Sequence, residues 1–264
     1  MSKNWINTQT KINVKQFDEQ MNLSNKNKLS FLNDYQKYYQ RVCVDCNYLD
    51  AVKTLNWDDY LKENCIILEM GSGGGWLSAF LSLFPSVKKI YALDSSKFFL
   101  HNMMPMILKK MRANKKKITP IEGLFTPILL KSNSLDIVVA SSSLHHAENL
   151  EQALKEIRRV LKKDGLLVVL NETPGSAIRH FLRVLKASIM IFKHLLFKNY
   201  KSISPTISSC SYLYDPNLGD KAYPLWYWKK AFQESGFHNV DIIDTKLSTL
   251  KLIQGQKLFH FICK

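Results

Sequence analysis

An apolar run meets a glycine-rich turn at residues 66–75, which read Ile66-Ile67-Leu68-Glu69-Met70-Gly71-Ser72-Gly73-Gly74-Gly75. The apolar half is typical of a buried β-strand, and the glycines allow a tight turn that brings the backbone close to a ligand. The apolar segment from Trp76 to Phe84 then predicts a helix, which Pro85 helps to end. A strand, a glycine turn and a helix N-terminus together predict a site for a nucleotide-type cofactor.

Two classes of cofactor could bind at this turn, a dinucleotide or a cofactor that carries positive charge. A dinucleotide site needs glycines in the pattern G-x-G-x-x-G, and Trp76 stands in the third place here. Glu69 instead puts a carboxylate beside the ligand, which suits a cation better than a phosphate. A turn that binds nothing is the remaining interpretation, in which four glycines would cost conformational entropy without helping the core.

The pattern E-x-G-x-G-x-G at residues 69–75 resembles motif I of the class I S-adenosylmethionine-dependent methyltransferases. The cofactor of that family carries an ammonium and a sulfonium group, which agrees with a carboxylate beside the turn. The resemblance covers residues 63–173 and extends more loosely to the C-terminus. It implies that the methionine part of the cofactor is held by Glu69, Gly71, Ser72, Gly73 and Gly75.

An acid ends the second apolar run, since Asp94 follows Ile90-Tyr91-Ala92-Leu93. A carboxylate at this place can accept hydrogen bonds from both ribose hydroxyls of the cofactor. The resemblance implies this role for Asp94, with Ser95 next to it. On the residues alone, Asp94 could also cap the helix that begins after it.

A third landmark of the family is Gly123-Leu124-Phe125, where many relatives carry an Asp after the glycine. Leu124 stands in that place, so the adenine ring is expected to be flanked by Leu124 and Phe125 and hydrogen-bonded by backbone groups. Ordinary core packing of Phe125 remains the alternative.

The run Ser141-Ser142-Ser143-Leu144-His145-His146 resembles a loop of the type 11 methyltransferase domain, in which Leu-His-His is frequent. The strand before it should end at the switch point of the sheet, so Ser141 is expected to contact the cofactor. His145 or His146 could take a proton from an attacking group, since imidazole titrates near neutral pH. Packing and loop orientation are the alternative for both histidines. No metal-ligand cluster is apparent in the sequence, and no metal is expected.

Strand-like and helix-like segments alternate from residue 63, as in βαβ units with a parallel sheet. Strands are predicted near residues 65–70, 88–93, 118–122, 135–140, 165–170, 238–244 and 257–263. Helices are predicted near residues 75–84, 96–112 and 149–162. The resemblance implies a Rossmann-like three-layer α/β sandwich, whose seven-stranded, mostly parallel sheet has an antiparallel strand 7. A helical N-terminal cap (1–62) is expected on a methyltransferase domain (63–264), with a lid insertion at about 175–225.

The net charge of +15 invites a nucleic-acid or membrane partner. Only six of the 37 basic residues are arginine, the residue that best recognises phosphates and bases, so nucleic acid binding is not expected. Cys43 and Cys46 form a C-x-x-C without a second close pair, which predicts structural thiols rather than a zinc site. Without a signal-like N-terminus or a membrane-spanning apolar run, a cytoplasmic location is expected.

The segment 176–200 is apolar on one helical face and basic on another, and no acid occurs between Glu172 and Asp215. Such a helix can be a lid or can lie at an anionic interface, so peripheral membrane contact is one possibility. The expected function is methyl transfer from S-adenosylmethionine to a small molecule or biosynthetic intermediate, at oxygen, nitrogen or carbon. Two alternatives remain: a lipid-linked acceptor at a membrane surface, and a non-catalytic scaffold that binds a protein partner. The oligomeric state is left open.

Overall fold

A computed structural model describes residues 3–5, 34–197, 213–215, 220–249 and 255–264. Parts of the predicted cap (6–33) and of the predicted insertion (198–212 and 216–219) lie outside the described residues. Within the described residues, no helix is long and apolar enough to cross a membrane.

The described residues contain ten strands in two sheets. They are β1 (Lys3–Asn4), β2 (Cys65–Met70), β3 (Val87–Asp94), β4 (Ile118–Glu122), β5 (Leu135–Ser141), β6 (Leu161–Glu172), β7 (Leu213–Asp215), β8 (Asp220–Lys221), β9 (Val240–Ser248) and β10 (Lys257–Cys263). The main sheet has the order β1-β4-β3-β2-β5-β6-β10-β9, and β7 pairs with β8 separately. Strands β2 to β6 pair in parallel, whereas β10 is antiparallel to both of its neighbours. The predicted mostly parallel sheet with an antiparallel last strand is confirmed.

The α-helices of the described residues are α1 (Tyr35–Tyr39), α2 (Tyr48–Val52), α3 (Trp76–Leu81), α4 (Met104–Lys110), α5 (Leu150–Val160), α6 (Ala177–Leu196) and α7 (Leu225–Glu234). Two π-helical segments, Gln40–Asp45 and Phe99–Met103, and three 3₁₀ turns, Trp57–Asp59, Lys115–Lys117 and Leu144–His146, accompany them.

The sheet is covered on both faces, and adjacent residues of one strand pack into different cores. Ile67 of β2 packs in a core with α3 and α4, while Leu68 packs in a second core with α5 and α7. Val139 and Val138 of β5 divide in the same way. Because successive side chains of a strand point to opposite faces, this division produces the predicted three-layer sandwich.

The N-terminal residues that the structure describes differ in part from the predicted helical cap. The short helices α1 and α2 are present and pack on the first core, but Lys3–Asn4 form strand β1 instead of a helix. Strand β1 pairs in parallel with β4, and Trp5 N–H donates to Glu122 O at 2.7 Å. An edge strand presents backbone N–H and C=O groups that are free to pair, and the N-terminal segment forms hydrogen bonds with those of β4. The sheet thus gains an eighth strand, while the division at residue 62 stays a prediction.

Two further elements differ from the sequence prediction. The helix predicted near 96–112 contains a π-helical segment at Phe99–Met103 before the α-helix Met104–Lys110, because Pro105 cannot donate a backbone hydrogen bond. Strand β6 begins at Leu161, within the helix predicted near 149–162, so that Asp164-Gly165 lies inside the strand. The register with β5 shifts there, since Leu135 pairs with Leu161 and Ile137 with Leu166. This bulge accommodates the glycine within the strand.

His260 of β10 joins three parts of the fold. Its Nδ1 accepts a hydrogen bond from Asn171 N–H at 3.1 Å, so its Nε2 donates to Ala51 O at 2.9 Å. The ring therefore links β10, β6 and α2 in its neutral form. Burial lowers the pKa of His260.

Protonation of His260 should therefore weaken the fold. Because its pKa is lowered in the folded state, the stabilisation is fully present above the ordinary imidazole pKa near 6.5 and is lost as the pH falls below it. The slope contributed by this one proton is at most about 1.4 kcal/mol per pH unit. Urea unfolding between about pH 7.5 and about pH 5, which spans the imidazole range, should show this slope in the parent chain. The same slope is expected in a control, His238→Gln, because the side chain of His238 is exposed. In His260→Gln the slope should be smaller, and parallel curves for all three proteins would contradict the assignment.

Candidate active site

Five strands of the sheet end at one edge, and four of them, β2 to β5, end at or next to a residue of the predicted site. The strand ends are Met70, Asp94, Glu122, Ser141 and Glu172. In parallel α/β sheets, ligands bind at this carboxyl edge, where the order of the strands reverses. Here the reversal lies between β2 and β5, which pair directly.

The glycine loop (residues 71–75) connects β2 to α3. Gly71, Gly73 and Gly75 adopt left-handed φ angles of +70°, +48° and +73°. Ser72 N–H donates to Leu93 O at 2.8 Å, and Gly75 N–H donates to Ser72 O at 2.7 Å. Glycine adopts such angles without a steric penalty, and this explains why the loop contains it at alternate positions.

Tyr38 of α1 lies directly on the glycine loop. Its hydroxyl accepts a hydrogen bond from Gly74 N–H at 3.0 Å. A Cβ atom at Gly73 would lie 2.8 Å from the Tyr38 hydroxyl oxygen, and one at Gly74 would lie 2.6 Å from the ring. Burial raises the pKa of Tyr38 far above its ordinary range. The hydroxyl therefore stays protonated and can donate a hydrogen bond at the loop.

Asp94 lies beside the loop at the end of β3. Its Oδ2 accepts from Gly73 N–H at 2.7 Å, and its Oδ1 accepts from Ser96 N–H at 2.9 Å. The hydroxyl of Ser96 in turn accepts from Phe99 N–H at 3.3 Å. Asp94 therefore organises the start of the next helical segment, as a cap would, and also orients its carboxylate against the glycine loop. Ser95 is half-buried next to it.

The segment that follows β4 approaches the same loop. A Cβ atom at Gly123 would lie 3.0 Å from Trp5 Cβ, so the N-terminal strand covers this glycine. The ring of Phe125 comes within 3.2 Å of a Cβ atom built on Gly71. Leu124 and Phe125 are both half-buried. The two side chains predicted to flank adenine thus lie at or next to the glycine loop.

These residues fit the chemistry of S-adenosylmethionine. Ser72 Oγ is buried and, within the part of the chain that the structure describes, lacks a hydrogen-bond partner. A buried hydroxyl without a partner is uncommon, and a polar ligand group at the loop would satisfy it. The ligand has a carboxylate, an ammonium group and two ribose hydroxyls. These groups are complemented by the glycine backbone of the loop, which has no Cβ atoms, by the Asp94 carboxylate and by the Tyr38 hydroxyl.

Glu69 lies below the loop rather than at its surface. It is 1% exposed, and Ser78 of α3 donates a short hydrogen bond from its hydroxyl to Glu69 Oε2. Burial raises the pKa of Glu69 to about 8, although the bonds from Ser78 act in the other direction. The contact ties β2 to α3 across the glycine turn. The role predicted for Glu69 toward the methionine part of the cofactor stays a prediction.

A histidine–carboxylate pair follows β5. His145 Nδ1 lies 2.8 Å from Glu172 Oε2, and the side chains are 17% and 2% exposed. Ser143 N–H donates to Glu172 Oε1 at 3.2 Å, and Ser143 Oγ donates to Met70 O at 2.7 Å. Ser143 also lies against the glycine loop, because a Cβ atom at Gly71 would come within 2.6 Å of Ser143 Cβ. Three hydrogen bonds therefore connect His145 to the residue that precedes the loop.

A second polar group lies at the ends of β5 and β6. Asn171 has a left-handed φ of +56°, and its Nδ2 donates to Ser141 Oγ at 2.9 Å and to Tyr48 O at 3.3 Å. The Tyr48 hydroxyl and Ser142 Oγ are 2.9 Å apart. Asn171 Oδ1 is buried and lacks a hydrogen-bond partner among the described residues. Helix α2 is thus tied to the edge of the sheet by polar contacts.

The structure brings most of the predicted site residues to this one edge. The glycine loop, Asp94, Ser95, the Gly123 segment, Ser141 and His145 all lie there. His146 is exposed, and its ring lies 4.3 Å from that of His145, but the contact with Glu172 is made by His145.

Sequence reasoning missed four residues of this edge, namely Tyr38, Ser143, Asn171 and Glu172. Asn171 and Glu172 follow directly on the strand predicted at 165–170, so the rule that selected Asp94 could have found them. Nothing in the sequence places Tyr38 on the loop. Among the described residues, no group of three or more His, Cys, Asp or Glu side chains could hold a metal ion. The cysteines described, Cys43, Cys46, Cys65 and Cys263, are free thiols.

The buried Glu69 predicts a pH effect on stability. Because its pKa of about 8 exceeds the value near 4.3 in an unfolded chain, the folded state retains a proton that unfolding releases. The stabilisation is present below about pH 4.3 and is lost as the pH rises toward 8. The side chain of Glu69→Gln cannot ionise. Its free energy of unfolding should therefore rise relative to that of the parent chain as the pH increases between these values. Urea unfolding tests this, with the exposed Glu63→Gln as control. A constant difference between Glu69→Gln and the parent would show that Glu69 ionises normally.

The comparisons with known proteins agree with this geometry. Residues 68–169 match the model of a methyltransferase domain family. The mitochondrial arginine-hydroxylase NDUFAF5 of Danio rerio is 27% identical over 169 residues, which cover 64% of this chain and 48% of that protein. The ubiquinone/menaquinone biosynthesis C-methyltransferase UbiE of Campylobacter jejuni is 31% identical over 119 residues, which cover 43% and 47%. The chain thus spans about half the length of these curated relatives.

Solved structures share the fold at low sequence identity. A methyltransferase of Aquifex aeolicus described as SAM-dependent matches with a TM-score of 0.55 at 16% identity, covering 87% of this chain and 97% of that one. A chain of the complex formed by the Trm112 methyltransferase activator of Haloferax volcanii matches with a TM-score of 0.59 at 12% identity, covering 89% and 95%. Together with the strand order and the glycine loop, the match of residues 68–169 shows that this part of the chain is similar to the class I S-adenosylmethionine-dependent methyltransferases, whose cofactor is S-adenosylmethionine.

Proposed function

We propose that this chain is an enzyme that transfers the methyl group of S-adenosylmethionine to a small molecule or biosynthetic intermediate. The observation that carries the proposal is the His145–Glu172 pair, which Ser143 links to the end of β2 just before the glycine loop. A cofactor loop and a basic group that share one hydrogen-bonded edge provide what a methyl transfer to a protic acceptor needs.

The chain's own residues would bind the cofactor at the loop. Asp94 would accept hydrogen bonds from the ribose hydroxyls, and Leu124 and Phe125 would flank the adenine. The backbone of residues 71–75 would hold the methionine part. Tyr38 would donate its hydroxyl hydrogen to a polar group there. Bound S-adenosylmethionine supplies an electrophilic methyl group on a positively charged sulfur. Little chemistry remains for the protein beyond positioning, water exclusion and proton removal.

His145 is the side chain best placed to remove that proton. The Glu172 carboxylate accepts a hydrogen bond from Nδ1–H, and this bond selects the tautomer in which Nε2 carries the basic lone pair. Glu172 is almost fully buried and is held by Ser143 N–H, so it fixes the orientation of the ring. A hydroxyl, an amine or an acidic C–H group of the acceptor becomes a stronger nucleophile when it loses its proton.

The relatives support a biosynthetic acceptor without specifying it. UbiE is named for the C-methylation of ubiquinone and menaquinone precursors in biosynthesis, and a matching segment occurs in the polyketide synthase PksM of Bacillus subtilis. NDUFAF5 is named as an arginine hydroxylase, so proteins that share this domain do not all carry out one reaction. The acceptor must therefore be found by experiment.

A lipid-linked acceptor at a membrane surface is the second candidate. The observation that favours it is helix α6, which begins five residues after Glu172 and exposes large apolar side chains to solvent. An acceptor held in a bilayer would reach the site from that side. The cytoplasmic location expected from the sequence remains a prediction under either candidate.

The direct test follows a labelled methyl group. The purified chain is incubated with methyl-tritiated S-adenosylmethionine and an extract of cells that produce the protein, and the extract is then separated into aqueous metabolites, lipids and precipitated protein. Label in the aqueous fraction supports the first candidate, and label in the lipid fraction supports the second. Label in none of them, although the cofactor binds, would favour the non-catalytic scaffold.

Variants of the histidine pair test the mechanism once a labelled fraction is found. His145→Ala should lower the rate of methyl transfer by about 10²- to 10⁴-fold, the usual contribution of a general base. Glu172→Gln should cause a smaller loss and should shift the pH–rate profile, because the ring then loses its orienting carboxylate. His146→Ala, without the contact to Glu172, is the matched control. Equal losses in the His145 and His146 variants would refute the assignment.

A further inference from the structure

Helix α6 (Ala177–Leu196) exposes more large apolar side chains than any other described element. Three of them, Ile178, Phe181 and Phe192, are 73%, 65% and 63% exposed. The full exposed set on α6 is Ile178, Phe181, Leu182, Val184, Leu185, Ile189, Met190, Phe192, Leu195 and Leu196. A contiguous apolar surface of this kind is unusual on a soluble domain and marks an interaction site.

The exposed side chains form one face opposite the protein body. Ala187 is buried, and His180, Ile191 and His194 are half-buried, with spacings of seven, four and three residues along the helix. These four residues therefore share the inward face. The outward face carries Ile178, Leu182, Leu185, Ile189, Phe192 and Leu196, at alternating spacings of four and three. The helix thus turns its apolar stripe away from the core, the reverse of an ordinary surface helix.

The charges of the segment that contains this helix have one sign. Lys186 and Lys193 are exposed at the side of the apolar stripe. Arg179 and Arg183 add two further positive charges to the segment, and no acid occurs between Glu172 and Asp215. A surface that is both apolar and purely cationic complements a partner that is both apolar and anionic.

Two other occupants fit this helix less well. The helix is not apolar enough to cross a bilayer. Its four-three spacing could also pair two copies of the chain as in a coiled coil. Such pairs are usually stabilised by opposite charges beside the seam, whereas two copies of α6 would bring Lys186 and Lys193 together, and the helix has no acid to match them.

We propose that α6 is a membrane-contact helix, which lies in the surface of an anionic phospholipid bilayer with its apolar stripe among the acyl chains. Lys186 and Lys193 then lie at the level of the lipid head groups, where cations are attracted to anionic lipids. Exposed phenylalanine and leucine side chains are typical of helices that lie in such an interface.

The position of α6 connects this contact to the site. The helix follows β6, whose last residue Glu172 is part of the histidine pair, and an isolated bridge joins Gly175 to Pro224 just before the helix. Membrane contact would therefore place the carboxyl edge of the sheet near the bilayer. This step, which concerns how the acceptor arrives, rests on the proposed function, whereas binding to the membrane does not.

Vesicle flotation tests the contact without any methyl acceptor. The full chain is mixed with vesicles of phosphatidylcholine alone and with vesicles that also contain phosphatidylglycerol. We expect the protein to float with the anionic vesicles only, and less at raised salt, because salt screens the lysines. Lys186→Glu/Lys193→Glu should weaken this binding about tenfold or more. The matched control is Lys115→Glu/Lys116→Glu, which reverses two exposed charges elsewhere and should bind like the parent.

A second pair of substitutions tests the apolar stripe. Ile189→Ser/Phe192→Ser should also weaken flotation about tenfold, with circular dichroism and the melting temperature showing that the variant folds. If Ile189→Ser/Phe192→Ser does not fold, the charge-reversal variants of α6 and their control decide whether the helix contacts the membrane. Binding unchanged by the α6 charge reversal, or no flotation of the parent with anionic vesicles, overturns the proposal. A concentration-dependent dimer in light scattering, lost in Ile189→Ser/Phe192→Ser and without flotation, would assign the stripe to a second copy instead.

Discussion

The parallel pairing of β2 with β3 on one side and with β5 on the other is the constraint on which the site depends. Residues 67–70 of β2 pair in register with both neighbours, so the three strands end at the same level. The glycine loop, Asp94 and the loop that carries Ser143 and His145 must then meet at one edge. A shift of one residue in β2 would turn Leu68 and Ile67 to the wrong cores, so packing on both faces maintains the register.

Buried polar groups hold this edge together. Glu69 contacts Ser78, Glu172 contacts His145 and Ser143, and His260 contacts the backbone of Asn171 and Ala51. Each of these groups would be costly to bury alone, and the bonds of Glu172 and His260 connect elements that are distant in the chain. The few polar atoms that lack a partner among the described residues include Ser72 Oγ and Asn171 Oδ1, both at the carboxyl edge. A site for a polar ligand explains why they are found there.

Much of the fold could be predicted from the sequence because the strands from Cys65 to Leu170 are buried apolar runs bounded by glycine, proline and polar residues. Asp94 and the glycine loop could be predicted because their chemistry depends on neighbours in the chain. Tyr38 could not, since its contact with Gly74 joins residues that are 36 positions apart in the chain. The same holds for Ser143 and Glu172, whose bonds join different strands. The orientation of α6 was also out of reach, because an amphipathic pattern does not reveal which face packs on the body.

Calorimetric titration measures whether the glycine loop and Asp94 bind the cofactor. S-adenosylhomocysteine, the demethylated product of the cofactor, is titrated into the parent chain, Asp94→Ala and the exposed control Asp58→Ala. The parent and the control should bind alike. Asp94→Ala should bind at least about tenfold more weakly, a loss of about 1.4 kcal/mol. Equal affinity for all three proteins, or no binding to the parent, would contradict cofactor binding by the glycine loop and Asp94.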